Sequence, residues 1–437
     1  MAEEPVIKDL YICRETGKKK GAGTKEEPLK LLWQVIGKIE DNTRLHIAEG
    51  RYWAQGKKGI MPKITAHNIS IIGGYSQDFS KRNPFEHLTI IGTDGQVEGP
   101  PTDSVIRIND DKREPGTVVV DGLCIDRGDY AVYYGEGPPG AGKKIEGYKD
   151  CTACGYRQLN RKMSGSSPTV EVMANTSNIT VRNCLLINNT WWGLYIKAGG
   201  SVLIENNLIF ISQGRAIEAL GAWGSPKFTI KNNTLVFGNS LKTTEGRAIS
   251  ANPSKTYSYT IENNVIAFND GGGVTTKFGA GEGMEMNGNL FWFNRRADFN
   301  EKAGSGTANA DSFEDDLEFD AEDNVHELPK FLAAIGAAGK DWFDRYSQNG
   351  FVDMVAGNFN TVDQLMKARE VFGLKEYNLV GYDEPYATYA DLPGNRPAWN
   401  MSRYPNPMKL GDLIDWKASI IPIIGADGDK GIQPFKE

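Results

Sequence analysis

A short segment recurs five times in the middle third of this chain, and no other sequence feature constrains the fold as strongly. Each copy has an apolar residue at its centre, and these anchors are Val181, Ile204, Ile230, Ile261 and Met286. They are separated by 23, 26, 31 and 25 residues. A period of this size indicates that each copy is one supersecondary unit, which buries its apolar face against the next copy.

Each copy reads as a strand, a polar turn and a second strand. β-branched residues alternate with polar residues before the turn, as is typical of a half-buried strand. The turn is marked by Asn183, Asn206, Asn232 and Asn263, and asparagine tolerates the left-handed backbone conformation better than most residues. We expect equivalent asparagines to form a hydrogen-bonded ladder when the coils stack about 4.8 Å apart.

A second family of strands follows the asparagine strands, and its members start at Gly193, Gly214, Gly246 and Gly273. Two or three short strands in a coil of about 25 residues are typical of a parallel β-helix. The frames of a leucine-rich repeat and the 3.6-residue periodicity of an α-solenoid are missing from these segments.

The repeat divides the chain into three regions. Residues 1–42 are predicted to hold an N-terminal strand and a capping helix, because apolar residues between Pro28 and Ile39 have helical spacing. Residues 43–300 are predicted to form an all-β solenoid of about ten coils, with a long loop at about 136–168. Residues 301–437 are predicted to form an irregular, partly helical cap.

Composition excludes some partners. The 437 residues carry a formal net charge of −7 and contain no basic block, which argues against nucleic acid as a partner. No apolar run approaches the roughly 20 residues that a membrane-spanning helix needs.

Several segments resemble pectate-lyase-like right-handed parallel β-helix proteins. They are Leu10-Tyr-Ile-Cys, Gly23-Thr-Lys-Glu-Glu-Pro, Leu45-His-Ile-Ala-Glu-Gly-Arg-Tyr, Ile71-Ile-Gly-Gly-Tyr and Ile424-Gly-Ala-Asp. The resemblance implies a single-stranded right-handed solenoid in an extracellular, periplasmic or cell-surface protein whose signal peptide has been removed. It also implies action on an acidic polysaccharide, most plausibly as a lyase.

The resemblance does not extend to catalytic motifs. The paired aspartates and Gly-His-Gly of polygalacturonase-like hydrolases are missing, as are the Gln-Asp-Thr-Leu of pectin esterases and the Asn-Gly-Gly-Glu of alginate- and chondroitin-type lyases. No catalytic residue of these subfamilies therefore transfers to a numbered position of this chain.

Charged residues on the glycine-led strands provide candidate chemistry. If Ile196, Ile217 and Ile249 point inward, then Lys197, Glu218 and Ser250 form one outward column. Lyase chemistry needs a base, a cation that neutralises the uronate carboxylate, and an acid at the leaving oxygen. We therefore predict Lys197 or Arg215 as the base and Glu218 as a charge partner or cation ligand.

Two further groups complete this candidate site. Arg215 and Arg247 occupy equivalent strand starts, one coil apart. Aromatic rings are suitable platforms for sugars, and the candidate platforms on or beside this face are Trp191, Trp192, Tyr195 and Trp223.

Other interpretations of the same residues stay open. The charged column is also consistent with a solvated ladder of salt bridges. A non-catalytic surface, adhesive or filament-forming solenoid that self-associates through its ends is the main alternative to a lyase. A glycoside hydrolase and a uronate epimerase are further alternatives on the same scaffold.

Metal sites have weaker support in the sequence. No metal ligand set is assigned, and Ca²⁺ is the one cofactor left open, because the acidic run from Asp311 to Asp323 is rich in carboxylates. That run lacks the spacing of a calcium loop, so a solvated, mobile linker is predicted there. The four histidines, His46, His67, His87 and His326, have no metal-ligand spacing and are interpreted as structural.

The cysteines and one glycine-rich segment favour structural roles. Cys124 and Cys184 lie in apolar strands and are predicted to be buried free thiols. Cys151 and Cys154 form a CxxC that suits a zinc half-site, a redox pair or a local disulfide, and we interpret it as structural. Gly137–Lys143 imitates a phosphate-binding loop but lacks the following Ser or Thr and helix.

Overall fold

The predicted all-β solenoid is confirmed as a parallel β-helix in a computed structural model. The structure describes residues 6–54, 61–93, 104–126, 168–189, 192–212, 214–238, 247–267, 269, 272–276, 283–292, 294, 297–301, 306–331 and 423–436. Cys151, Cys154, the segment Gly137–Lys143 and almost all of the predicted loop at 136–168 lie outside these residues.

Three sheets run along the solenoid. Sheet A contains β1 (Lys8–Ile12), β2 (Thr43–Ala48), β4 (Ile69–Tyr75), β7 (Thr117–Asp121), β10 (Asn178–Arg182), β13 (Val202–Glu205), β16 (Lys227–Lys231), β19 (Ser258–Glu262) and β22 (Met284–Asn287). Sheet B contains β3 (Gly50–Ala54), β5 (Thr89–Thr93), β8 (Leu123–Asp126), β11 (Leu185–Asn189), β14 (Leu208–Ser212), β17 (Thr234–Gly238), β20 (Val265–Ala267), β23 (Leu290–Trp292) and β26 (Val325–His326). Sheet C contains β6 (Ile106–Asp110), β9 (Val170–Ala174), β12 (Trp192–Ala198), β15 (Arg215–Gly221), β18 (Arg247–Ala251), β21 (Gly272–Thr276), β24 (Phe299–Glu301) and β25 (Gly306–Ala308).

Strands of successive coils pair with each other, and from β4 to β24 the chain visits sheets A, B and C in turn. The final pair, β24 with β25, is antiparallel. The five predicted anchors face inward on sheet A and are fully buried. Sheet A has nine strands among the described residues, close to the expected ten coils.

The predicted turn asparagines have the expected backbone conformation. Asn183, Asn206, Asn232 and Asn263 have φ values of 54°, 58°, 52° and 54°. Their side chains make different contacts, because Asn206 Nδ2 donates to Asn183 Oδ1 at 2.8 Å whereas Asn232 Nδ2 donates to a main-chain carbonyl of the C-terminal segment. These four asparagines therefore form the turns, but they do not form a continuous hydrogen-bonded ladder.

The long ladder lies one residue further along, at the start of sheet B. It is formed by Asn207, Asn233, Asn264, Asn289 and Asn324. The Nδ2 of each of the first four donates to the Oδ1 of the next asparagine at 2.9–3.0 Å. The main-chain N–H groups donate to the same oxygens, so buried polar groups are satisfied from coil to coil.

The N-terminal region differs from the prediction in two ways. β1 already pairs with β2 in sheet A, so the solenoid starts before residue 43. The helix α1 spans Leu32–Ile36 and is shorter than the predicted segment. Its Leu32, Val35 and Ile36 are buried in the continuous core, as a cap over the first coils requires.

The acidic run forms part of the cap at the far end, and the predicted linker is wrong. Ala310–Ser312 forms a 3-10 helix and Phe313–Asp316 forms α2. Phe313 is buried, and its ring meets that of Phe291 edge to face at 5.4 Å. The carboxylates of Glu314, Asp315 and Asp316 are exposed, because the apolar face of this segment packs on the last coil and its charged face is in contact with solvent.

The C-terminal segment 423–436, which we call the strap, lies across the turns between sheets A and B. The main-chain N–H of Gly431 donates to the Asn263 carbonyl at 2.8 Å, and that of Ile432 donates to Thr234 Oγ1 at 3.0 Å. The Gln433 N–H donates to Asn206 Oδ1 at 2.5 Å. Successive strap residues therefore bond to successive coils.

The prediction that Cys124 and Cys184 are buried free thiols is confirmed, and the structural role of the histidines stays a prediction. Both cysteines are buried free thiols, and burial raises the pKa of Cys184 to about 12. Each histidine has a carboxylate within hydrogen-bond distance, and the four partners are Asp9, Asp110, Glu49 and Asp298.

The ladder gives a direct test of coil stability. Asn264→Ala removes a side chain that bonds to both neighbouring coils, and it leaves buried main-chain groups without partners. We expect the free energy of unfolding to fall by at least about 2 kcal/mol. Asn263→Gly is the matched control, because glycine accepts the left-handed conformation, and a small change is expected there. Equal losses in the two variants under chemical denaturation would contradict a ladder role.

His326 predicts a pH-dependent contribution to stability. Its Nδ1 lies 2.7 Å from Oδ2 of Asp298, and this hydrogen bond, followed by the carboxylate charge, raises the pKa of His326. A raised folded-state pKa stabilises the fold below the ordinary histidine pKa of about 6.5, and this contribution is lost as pH rises through the folded value.

We expect His326→Gln to lower Tm more at pH 5.5 than at pH 8.5. His46, whose pKa is lowered by burial, is present in both proteins and cancels from the difference. A loss of Tm that is the same at both pH values would show that the ion pair with Asp298 does not contribute.

Candidate functional site

The outward face of sheet C brings charged side chains from several coils into one row. On β12, Leu194 and Ile196 point into the core and Tyr195 points outward. The register places one outward residue of each coil beside the next, and this row comprises Arg107, Glu171, Tyr195, Glu218, Ser250, Thr275 and Asn300.

The structure corrects one member of the predicted column. Glu218 and Ser250 are neighbours as predicted, but the residue beside Glu218 on β12 is Tyr195. Lys197 pairs with Leu220 and lies two residues further along its strand. The error arises because each strand has two inward apolar positions, and the isoleucine chosen to align β12 is one inward position out of register.

Arg215 and Glu218 form a close ion pair within β15. Arg215 Nη1 donates to Glu218 Oε2, and both side chains are largely buried. Trp192 covers this pair, since its ring centroid is 5.6 Å from Arg215 Cζ. Desolvation by this ring strengthens the electrostatic attraction between the two groups.

A second carboxylate lies two coils away on the same row. Glu171 Oε2 accepts a hydrogen bond from Ser104 Oγ at 2.8 Å and lies 3.4 Å from Arg107 Nε. None of these three residues is among the predicted site residues, because the long insertion that precedes Glu171 interrupts the repeat. The sequence feature that could identify Glu171 is the short alternation Val170-Glu-Val-Met-Ala, in which the glutamate is at an outward position.

Tyr195 lies between these two carboxylates. Burial, followed by the negative charges of Glu218 and Glu171, raises the pKa of Tyr195 above its ordinary value. A tyrosine phenol is protonated at neutral pH in any case, so Tyr195 can donate a hydrogen bond or a proton. Its ring centroid is 5.2 Å from that of Trp192.

Arg247 extends the positive charge of this face by one coil. It is the register neighbour of Arg215, as predicted, and it is buried. Because adjacent coils are only about 4.8 Å apart, Arg247 lies on the strand next to the Arg215–Glu218 ion pair.

Lys197 and Trp223 form a more accessible group at the edge of the row. The Lys197 Nζ lies 5.4 Å from the ring centroid of Trp223, within cation–π range. Trp223 is 51% exposed and offers an aromatic surface to solvent. Trp191, the fourth predicted platform residue, lies outside the described residues.

Metal binding at this face is not supported by a donor cluster. Within the part of the chain that the structure describes, no three side chains of His, Cys, Asp and Glu come together in a way that could hold a metal ion. The face carries cationic side chains, the carboxylates of Glu171 and Glu218, one phenol and aromatic surfaces, and Ca²⁺ stays a proposal.

The comparison with protein families agrees with the fold. Residues 172–313 match a family model described as a right handed beta helix region. The predicted resemblance to right-handed parallel β-helix proteins is thus confirmed at the level of fold, and the solenoid is right-handed. No curated protein sequence matches this chain.

Two solved structures are similar in part. A rhamnogalacturonan lyase shares 11% identity with a TM-score of 0.31, over 75% of this chain and 91% of its own. A GH136 lacto-N-biosidase from Eubacterium ramulus shares 11% identity with a TM-score of 0.26, over 74% of this chain and 68% of its own. At these TM-scores neither similarity bears on what this chain does. Among the helices of the described residues, none is long and apolar enough to cross a membrane.

Proposed function

We propose that this protein is an extracellular polysaccharide lyase that binds an acidic polysaccharide on the outward face of sheet C. The observation that carries the proposal is the position of Tyr195, a protonated phenol between two carboxylates and beside Arg215, on a face that is also lined by aromatic rings. A row of charges of this kind, with sugar-binding platforms at its edge, suits a uronate chain.

The cationic side chains are proposed to bind the uronate carboxylate. Arg215 and Arg247 are register neighbours, and guanidinium groups bind carboxylates with paired, charge-assisted hydrogen bonds. Neutralising this carboxylate makes the neighbouring C–H more acidic, which is the main requirement of β-elimination. Because Arg215 is ion-paired with Glu218, it suits this role better than that of a base.

Lys197 and Tyr195 are proposed to transfer the protons. Lys197 takes the proton from the carbon beside the carboxylate. The electron pair forms a C=C bond, and the glycosidic C–O bond on the neighbouring carbon breaks. Tyr195 gives its proton to the leaving oxygen, so that the products are a new chain end and an unsaturated uronate.

Trp223 and Trp192 are proposed to position the sugar rings. Trp223 is the more exposed of the two, and it lies beside Lys197. Stacking a sugar on this ring would place the chain across the strands, next to the proton-transfer groups.

We expect a purified sample to raise the absorbance of unsaturated uronates with at least one member of a panel of uronate polysaccharides, tested with and without Ca²⁺. Tyr195→Phe should lower kcat by about 10²–10⁴-fold, the usual contribution of a general acid. Lys197→Ala should cause a similar loss, while Trp223→Ala should mainly raise KM.

Matched controls separate chemistry from folding. Tyr11→Phe removes a phenol that lies in β1 of sheet A, and Lys227→Ala removes an exposed lysine of sheet A. Both should keep the activity of the parent protein. A flat trace across the whole panel would contradict the lyase assignment. Light scattering would then test the alternative of a non-catalytic solenoid that assembles through its ends.

A further inference from the structure

A polar groove lies between the strap and the turns that join sheets A and B. Its volume is about 640 Å³, within the range of small-molecule sites. Its lining includes Tyr75, Arg82, Arg182, Glu205, Phe435 and Lys436. None of these residues belongs to the outward face of sheet C, so the groove is a separate surface.

Two arginines that line the groove share one buried carboxylate. Asp121 is almost fully buried and accepts a hydrogen bond from Arg82 Nη2 at 2.5 Å and from Arg182 Nε at 2.8 Å. Asn183 Nδ2 donates to the same carboxylate at 2.9 Å. One carboxylate therefore meets two guanidinium groups, and this geometry holds both arginines in place.

The charge of the groove is positive, although the whole chain is acidic. The charge of Asp121 offsets the charge of one of the two arginines. Glu205 lies 3.4 Å from Nζ of Lys231, a residue outside the lining, and this lysine offsets the charge of Glu205. Lys436 adds another cation. The Arg182 side chain is 44% exposed, so its guanidinium can reach a solvent-borne anion.

Aromatic rings add a sugar-compatible surface to this charge. The Arg82 guanidinium carbon lies 4.9 Å from the ring centroid of Phe435 and 5.7 Å from that of Tyr75. Phe435 is partly exposed and lines the groove, which leaves ring surface available to the apolar face of a sugar. Guanidinium groups next to aromatic surfaces suit a ring that carries a carboxylate.

We propose that this strap groove is a second saccharide-binding site. It binds a uronate unit of the polysaccharide at a position distant from the sheet C face. The negative charge of the ligand follows from the groove itself, whereas its saccharide nature rests on the proposed function. Arg182 and Lys436 bind the carboxylate, and Phe435 contacts the sugar ring. The strap contributes two of these three residues, so binding depends on the strap being seated on the turns.

The test is a calorimetric titration with a galacturonate trimer, in a Tyr195→Phe background that prevents cleavage. Arg182→Gln should weaken the groove site by at least about tenfold. Arg44→Gln is the matched control, because Arg44 is a sheet A arginine that is 43% exposed and lies 3.7 Å from a carboxylate. That variant should bind within about twofold of the parent.

Two further variants and two further ligands test the same site. If Arg182→Gln fails to fold, Lys436→Ala and Phe435→Ala, on the partly exposed strap, test the same site. The methyl-esterified trimer should bind at least about tenfold more weakly than the trimer. Unchanged affinity in all three groove variants would overturn the inference, and so would inorganic sulfate binding as tightly as the trimer.

The groove and the lyase assignment can fail separately. Arg215→Gln reports on the sheet C face, and the cleavage assay reports on chemistry there. Binding that depends on Arg182 in a protein without lyase activity would keep the groove and reject the proposed function. If the protein cleaves the polysaccharide, and if binding is weakened by Arg215→Gln but not by Arg182→Gln, the proposed function is kept and the groove site is rejected.

Discussion

The in-register pairing of each coil with the next, secured by the buried asparagine ladder, is the constraint on which the rest of this structure depends. Asn207, Asn233, Asn264 and their equivalents satisfy main-chain and side-chain groups in the solenoid interior. An unsatisfied buried amide is costly, so a coil that slips by one residue loses the ladder and its apolar contacts together. Register is therefore fixed at the corner between sheets A and B.

The consequences of that register appear on sheet C. Because coils repeat at about 4.8 Å, any outward residue is placed beside its equivalents in the neighbouring coils. Tyr195 lies between Glu171 and Glu218 for this reason, although the three are far apart in sequence. Like charges on adjacent coils would repel, and here a phenol separates the two carboxylates while Arg107 and Arg215 compensate them.

The same register explains the strap. The turn asparagines repeat along the corner, so an extended segment that crosses them meets a similar polar group at each coil. Gln433 bonds to Asn206 in this way, and the Gly431 N–H bonds to the carbonyl of Asn263. The segment that closes this corner also supplies Phe435 and Lys436 to a groove whose arginines belong to much earlier coils.

Most of the solenoid could be predicted from the sequence, and the reasons are local. The Asn-Asn pairs, the apolar anchors and the spacing near 25 residues show a coil and its turn, because turn geometry and alternation depend on neighbouring residues. Which asparagine carries the ladder was not evident, since both members of a pair are polar and only the fold shows which one is buried. The positions of Glu218, Arg215 and Arg247 followed from their shared strand starts.

The remaining site residues depend on contacts that the repeat does not encode. The predicted alignment of Lys197 is wrong because β15 offers two inward apolar positions, Ile217 and Ala219, and Ile196 pairs with the second. Glu171 and Arg107 were missed because an insertion separates them from the repeat. The cap formed by the acidic run depends on Phe313 and a few other apolar residues among many charges, and their burial is a tertiary effect.

The most direct test of the account is a crystal structure of the Tyr195→Phe variant with a bound galacturonate oligosaccharide. The account predicts a sugar chain on the outward face of sheet C, with a uronate carboxylate at Arg215 and Arg247 and a ring against Trp223. An oligosaccharide bound elsewhere, with this face empty, would contradict it.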